Sequence, residues 1–251
     1  MSEILSALRS GFGFLTTIPV GITLEGIEKL MKHIYLFPVV GAFIGLLLAA
    51  IGYSSSLIFP PVLTSIVLVI SIYYLTGINH IDALADFGDG VAAHGTREKK
   101  IQAMRDTAVG TGGLIFCIIA VLGVFSSIFS IADKMLLPYS LIVAETSAKQ
   151  SMVTVAAFGK AIYKGFGSTT VDNTKKSDFI AGMAFSGAVC YLALGISGAV
   201  ALMVSQLAGL LVLNTANRHF GGVSGDIVGA SNEVGRLAAL MFLGGAAWMY
   251  L

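Results

Sequence analysis

The stretch "NHIDALADFGDG", residues 79–90, sets the carboxylates of Asp82, Asp86 and Asp89 within eight positions. On a helix the spacing i, i+4, i+7 puts all three on one face. Two carboxylates ~6 Å apart at an effective dielectric of ~20 repel by roughly 3 kcal/mol. Three therefore need a compensating cation or raised pKa values. An all-oxygen set suits Mg²⁺, which takes one or two carboxylates plus substrate phosphates and keeps some of its water. The plainer alternative is a solvated helix end at a membrane boundary, although such an end ordinarily mixes in Lys or Ser. Gly77, Gly88, Gly90 and Gly95 crowd the segment and allow a ligand to approach or a helix to leave sharply. His80 falls on the face opposite Asp82. It is a support for the metal ligands, a base, or a plain interfacial histidine.

Three further stretches carry reactive side chains. In "MRDTAVGTGG", Arg105 and Asp106 precede a glycine-rich turn that opens an apolar run. Backbone amides at such a turn and helix N-terminus can face an anion; a linker with an ordinary ion pair is the simpler reading. In "AETSAKQS", Glu145 and Lys149 stand i, i+4 inside an apolar run. Ionisable residues there pair with each other or line a polar cavity, so Lys149 is a substrate-binding candidate or half of a structural pair. In "NRHFGGVSGDIVGASNEVGR", Arg218 and His219 are followed by paired glycines, then Asp226 and Glu233 at i, i+7. This second cluster of glycines and acids is more than a bare turn requires.

The elements that hold these residues must be membrane helices. The chain has 251 residues, 56% hydrophobic and only 12% charged, half the charge of a soluble domain (about 25%). The predicted fold class is all-α, a polytopic integral membrane helix bundle forming one domain over 1–251. A transmembrane helix takes about 20 apolar residues, which gives candidates at 35–54, 59–77, 111–131, 135–157, 179–198, 200–215 and 234–251. The fifth and sixth meet at "GISGAVA" without a polar loop, so the count is six or seven. Residues 1–34 read as an interfacial amphipathic segment, since Glu3 and Arg9 do not suit a signal peptide. Loops 77–110, 159–178 and 216–236, with Arg9, Lys29 and Lys32 of the N-terminal segment, carry 13 of the 15 Lys and Arg, against Lys134 alone on the opposite side, and this places them in the cytoplasm. Lys160, Lys164, Lys175 and Lys176 in the second of these loops suit phosphates or anionic lipid headgroups equally. Trp248 and Tyr250 suit an interfacial anchor. Cys117 and Cys190 read as buried small hydrophobes. With net charge +1 and no basic stripe, a nucleic-acid partner is excluded.

Taken in order, "NHIDALADFGDG", "MRDTAVGTGG" and "GGVSGDIVGASNE" resemble the cobalamin synthase family, the adenosylcobinamide-GDP ribazoletransferases. His80, Asp82, Leu84, Ala85, Asp86, Asp89 and Gly90 match its first motif. Met104, Asp106 and Gly110 match its second, and Gly221, Gly222, Gly225, Asp226, Gly229 and Ala230 its third. The opening "GFLTTIPV" is similar to the family's N-terminal stretch. The sequence departs from the family's pattern at Ala83, Arg105, Thr107 and Ser224, at Gly112 where an aromatic is common, and at Arg236 where a second acid often lies.

The resemblance implies a multi-pass cell-membrane enzyme whose active site faces the cytoplasm. It would transfer adenosylcobinamide phosphate from adenosylcobinamide-GDP to α-ribazole or α-ribazole 5′-phosphate, with Mg²⁺ and release of GMP. Asp82, Asp86, Asp89 and Asp226 are then the candidate metal ligands. Asp226 and His80 are the candidate bases. Arg105, Asp106, Lys149, Arg218 and Glu233 are the candidate substrate contacts. A homo-oligomer or a complex with other cobalamin-pathway enzymes is an expectation by analogy only. The competing readings are a CDP-alcohol phosphotransferase, whose Asp-x-x-Asp-Gly-x-x-Ala-Arg string is absent, a prenyltransferase, and a transporter. The last would show inverted repeats and acids at mid-membrane.

Overall fold

A computed structural model describes residues 2–132, 135–163 and 166–249, with side chains described except at 166–168 and 248–249. Lys134, Lys164, Tyr250 and the Trp248 side chain lie outside the described residues. Within them the chain is helical throughout, with no strand beyond one isolated bridge.

Two short helices, α1 (Glu3–Leu15) and α2 (Leu24–Lys32), open the chain. Ser2 and Thr23 cap them through their hydroxyls. The long apolar helices follow: α3 (Phe37–Ser56), α4 (Pro61–Thr76), α7 (Thr111–Ala132), α8 (Leu137–Phe158), α10 (Lys176–His219) and α11 (Gly225–Met249). Between them lie α5 (Asn79–Ala92), α6 (Arg97–Met104) and α9 (Phe166–Asn173). Helices α3, α4 and α8 each carry a proline in their first two positions, where its missing N–H goes unused. The segments Ile34–Ser56, Thr111–Ala132 and Lys176–His219 are long and apolar enough to cross a membrane by composition alone.

Helix α10 is a hairpin. Leu194 and Gly195 leave the helical region, with Gly195 at φ +58° and ψ −135°, a conformation that glycine adopts readily. The two arms run in opposite directions along α8. In the first, the Phe179 ring lies 5.0 Å from that of Phe158, and Cys190 Sγ is 3.7 Å from Ser147 Oγ. In the second, Ser205 donates to the Ser147 carbonyl at 3.1 Å, and a Cβ on Gly209 would meet Ser151. The turn therefore falls four residues earlier than the expected boundary at 198–200. It divides α10 into two arms, which pack beside α3, α8 and α11 among the long helices of the bundle.

The aspartate helix is not a straight continuation of the second span. Helix α4 stops at Thr76, Gly77 takes φ +69°, and α5 leaves at 92° to α4. We read α5 as lying across the end of the bundle, outside the spans. The N-terminal segment sits at the same end, where the Thr17 amide donates to the Leu75 carbonyl at 2.8 Å.

Candidate active site

Helix α5 is fixed between α7 and α11 by close backbone contact. A Cβ on Gly88 would fall 3.0 Å from the Gly112 carbonyl, and one on Gly112 would fall 2.7 Å from that of Gly88. Gly112 thus serves this approach. Phe87 packs edge-on between Phe116 and Phe220, at 6.2 and 6.0 Å between ring centroids. These contacts orient the aspartate face.

Asp89 has a defined local partner. Its two oxygens accept from the amides of Gly110 at 2.7 Å and Gly113 at 2.8 Å. The amides expected to face a substrate anion are thus partly occupied by a carboxylate of the same chain, which fastens the loop before α7 to α5. Asp82 is exposed, while Asp86 is half-buried. The Asp86 carboxyl is pushed up to about 6, first by burial and then by the charges of Asp82, Asp226 and Asp89. Four carboxylates from α5 and α11 therefore share one electrostatic neighbourhood. Carboxylate oxygens are the donors a hard divalent cation takes. Among the described residues no three acidic, imidazole or thiol groups form a closed metal cage by themselves.

Asp226 sits on the first turn of α11, where the Ser224 hydroxyl donates to it at 3.2 Å. The loop after α8 pairs with the loop before α11: the Val223 amide donates to the Lys160 carbonyl at 2.7 Å and the Ile162 amide to the Val223 carbonyl at 3.1 Å. That pairing brings in Tyr163, which the sequence reading did not select. The Arg105 guanidinium lies over its ring at 5.1 Å. Burial and the nearby Asp226 push the Tyr163 phenol up, while Ser224 and Arg105 oppose the shift. The only sequence signal for Tyr163 is an aromatic amid the basic segment after the fourth span.

The other expected residues fall in three places. Asp106 is exposed and accepts from the Ala108 amide at 3.0 Å, closing its own turn. Arg218 is exposed at the end of α10 beside His219, whose ring is pushed down by burial and by Lys100 and Arg218. Lys149 and Glu233 are fully buried in a network between α8 and α11. Lys149 donates to Asn232 at 2.7 Å and lies 3.5 Å from Glu145. Arg236 bridges Glu145 and Glu233 at 2.5 Å each, and Tyr73 reaches Glu233 at 3.4 Å. Arg236, counted above with the basic loops, is therefore a buried partner of two acids. Two acids and two bases leave the network with no net charge.

Beside the aspartates is a cavity of about 300 Å³. Phe14, Phe37 and Met152 form apolar walls, and Asn79, His80 and Asp226 are among its polar groups. His80 is 7% exposed, and its Nδ1 has no hydrogen-bond partner.

Comparison with known proteins shows the family. The family model for cobalamin-5-phosphate synthase matches residues 7–244. The chain is 44% identical to the adenosylcobinamide-GDP ribazoletransferase of Methanosarcina barkeri, over 97% of this chain and 93% of that protein. It is 42% identical to the enzyme of the same name from Methanosarcina mazei over the full length of both. Identity to that from Methanococcoides burtonii is 39%, over 97% of this chain and 93% of the other. No solved structure matches. With three motifs on one end of an all-helical membrane bundle and a family match across nearly its whole length, this chain belongs to the cobalamin-5-phosphate synthase family.

Proposed function

We propose that this protein joins the nucleotide loop of cobalamin at the cytoplasmic face of the cell membrane. It transfers adenosylcobinamide phosphate from adenosylcobinamide-GDP to a ribose hydroxyl of α-ribazole or α-ribazole 5′-phosphate and releases GMP. The observation that carries the reading is the neighbourhood of Asp82, Asp86, Asp89 and Asp226 with Arg105 and Tyr163 beside it. The names of the relatives supply the substrates. The basic loops at the aspartate end, with Arg97, Lys99, Lys100, Lys175 and Lys176, support the cytoplasmic orientation.

In this reaction the hydroxyl oxygen bonds to the phosphorus attached to cobinamide, and the bond from that phosphorus to the bridging oxygen of GMP breaks. Catalysis of such a transfer is mainly positioning and charge stabilisation. Asp82 and Asp86 would hold Mg²⁺, whose charge would offset that of the pyrophosphate. Asp89 keeps the loop that carries Arg105 in place. Asp226 faces them from α11 and takes the proton of the attacking hydroxyl; its hydrogen bond from Ser224 fixes its rotamer. Arg105 and Arg218, both exposed at this end, receive the phosphate charge of the departing GMP. Lys149 and Glu233 act at a distance by holding α8 to α11.

The test uses the full chain in lipid nanodiscs, with GMP release and corrinoid product followed in Mg²⁺ and in EDTA. The expected result is Mg²⁺-dependent product, lost in Asp82→Asn and Asp86→Asn proteins that fold normally. Full turnover in a folded Asp86→Asn protein would overturn the metal assignment. No product from folded wild type would overturn the transfer itself.

A further inference from the structure

Arg105 is an exposed cation held by an aromatic ring instead of an acid. Among the described residues it makes no salt bridge. Asp106, the nearest acid along the chain, accepts from the Ala108 amide at 3.0 Å instead. The Arg105 guanidinium carbon lies 5.1 Å from the centroid of the Tyr163 ring, within the ~6 Å over which a ring quadrupole attracts a cation. An exposed arginine otherwise samples many rotamers. A ring face removes much of that freedom and leaves the charge unspent, whereas a carboxylate partner would neutralise it. The ring is itself fixed through the backbone. Tyr163 directly follows Ile162, whose amide donates to the Val223 carbonyl at 3.1 Å, and the Val223 amide donates to the Lys160 carbonyl at 2.7 Å. A Cβ on Gly222 would collide with the Lys160 carbonyl, and one on Gly159 with the Val223 side chain. The two loops thus touch closely. The Tyr163 phenol is half-buried beside Ser224 and feels the charges of Asp226 and Asp86. Asp226 in turn feels the charge of Arg105.

We propose that Tyr163 is a positioning residue for the transfer: its ring face holds the Arg105 guanidinium at the aspartate end, ready for the pyrophosphate of the donor. The role rests on the transfer reading above for the identity of that anion. Three loops meet in this contact. Arg105 follows α6, Tyr163 follows α8, and Ser224 and Asp226 stand where α11 begins. The ring therefore fixes the cation relative to Asp226, although the two charged residues are 121 positions apart in the chain. An aromatic that only packed between loops would need shape and size alone. One that holds a cation needs the negative face of its ring. One that stacked on the substrate itself would act with or without Arg105. A single set of substitutions separates these roles.

The full chain in nanodiscs is made with Tyr163→Phe and with trifluorophenylalanine at position 163, whose fluorines withdraw charge from the ring face and barely change its shape. Each ring is paired with Arg105 and with Arg105→Ala. Arg105 is exposed, and its loss leaves no buried group unpaired. Tyr163→Phe is the shape-matched reference. With Arg105 present, the fluorinated ring should lower kcat/KM for adenosylcobinamide-GDP about two- to fivefold below it, the effect of an exposed cation–π contact. Arg105→Ala should lower it about tenfold or more, and in that background the two rings should be equal. KM for α-ribazole should stay within twofold throughout, because the cation serves the donor. Calorimetric binding of inorganic pyrophosphate in Mg²⁺ repeats the series without turnover. Equal rings with Arg105 present would overturn the role. So would a fluorine effect that survives Arg105→Ala, or a matching rise in KM for α-ribazole. The expected pattern in pyrophosphate binding, with no product from folded wild type, would leave Tyr163 as the holder of Arg105 and overturn the transfer reading.

Discussion

Asp86 occupies the most acidic surroundings of the site, and its chemistry follows from them. Burial and the neighbouring carboxylates push its carboxyl up from 3.8 to about 6. A raised carboxyl pKa means that the fold disfavours the ionised form. This group therefore costs stability as pH rises from 3.8 through about 6, and it must lose its proton to take a cation. Mg²⁺ affinity should accordingly fall as pH drops through about 6, measurable by calorimetric titration at pH 5.5 and 7.5. Asp86→Asn should flatten that dependence and lower turnover roughly 100-fold or more. Asp226→Asn addresses a different step. It should lower kcat by about 10²- to 10⁴-fold with KM for the donor little changed, read from steady-state GMP release. An equal loss in KM for the donor would place Asp226 on the pyrophosphate instead.

Among the elements, two turns and one loop anchor decide where the site stands. Gly77 turns α5 by 92° from α4, and Gly195 folds α10 back on itself. A Cβ at Gly195 meets open space, so the loss in Gly195→Ala is backbone strain alone, about 1–3 kcal/mol. Thermal unfolding in detergent should show it, and an unchanged midpoint would mean that the hairpin turn tolerates a side chain. Asp89 ties the loop before α7 to α5 through two backbone amides. Asparagine offers only one acceptor oxygen, so Asp89→Asn leaves one amide unpaired, at a cost of about 1–3 kcal/mol. Limited proteolysis should cut the variant faster in the exposed stretch 105–110. Equal cutting rates would show that the loop holds without the second bond.

At the scale of the whole molecule, the buried network of Glu145, Lys149, Glu233 and Arg236 joins α8 to α11 and so sets the position of Asp226 relative to the bundle. Removing one charge from a buried, balanced set is far worse than removing a pair. Arg236→Met leaves the network at net −1 and should destabilise by about 3–5 kcal/mol. Adding Glu145→Gln restores neutrality and should recover a large part of that loss. Thermal midpoints of the single and double variants give the coupling. Additive losses would show that the four groups do not act as a unit.

The class of fold, the apolar runs that become its long helices, and the gathering of the aspartates on one helix face were legible in the sequence. Each of these follows from local pattern: apolar run length and the spacing of Asp82, Asp86 and Asp89. The three short motifs were also enough to point to the family. The tertiary structure decided what those residues face. A single positive-φ glycine sets the direction of α5, and spacing along the chain carries no information about that direction. Asp89 finds its amides 21 and 24 residues away, and Arg236 finds Glu145 91 residues away. Tyr163 reaches the site only because two loops pair across the end of the bundle. The cavity exists only where several helices leave space between them, and that space is a property of their packing.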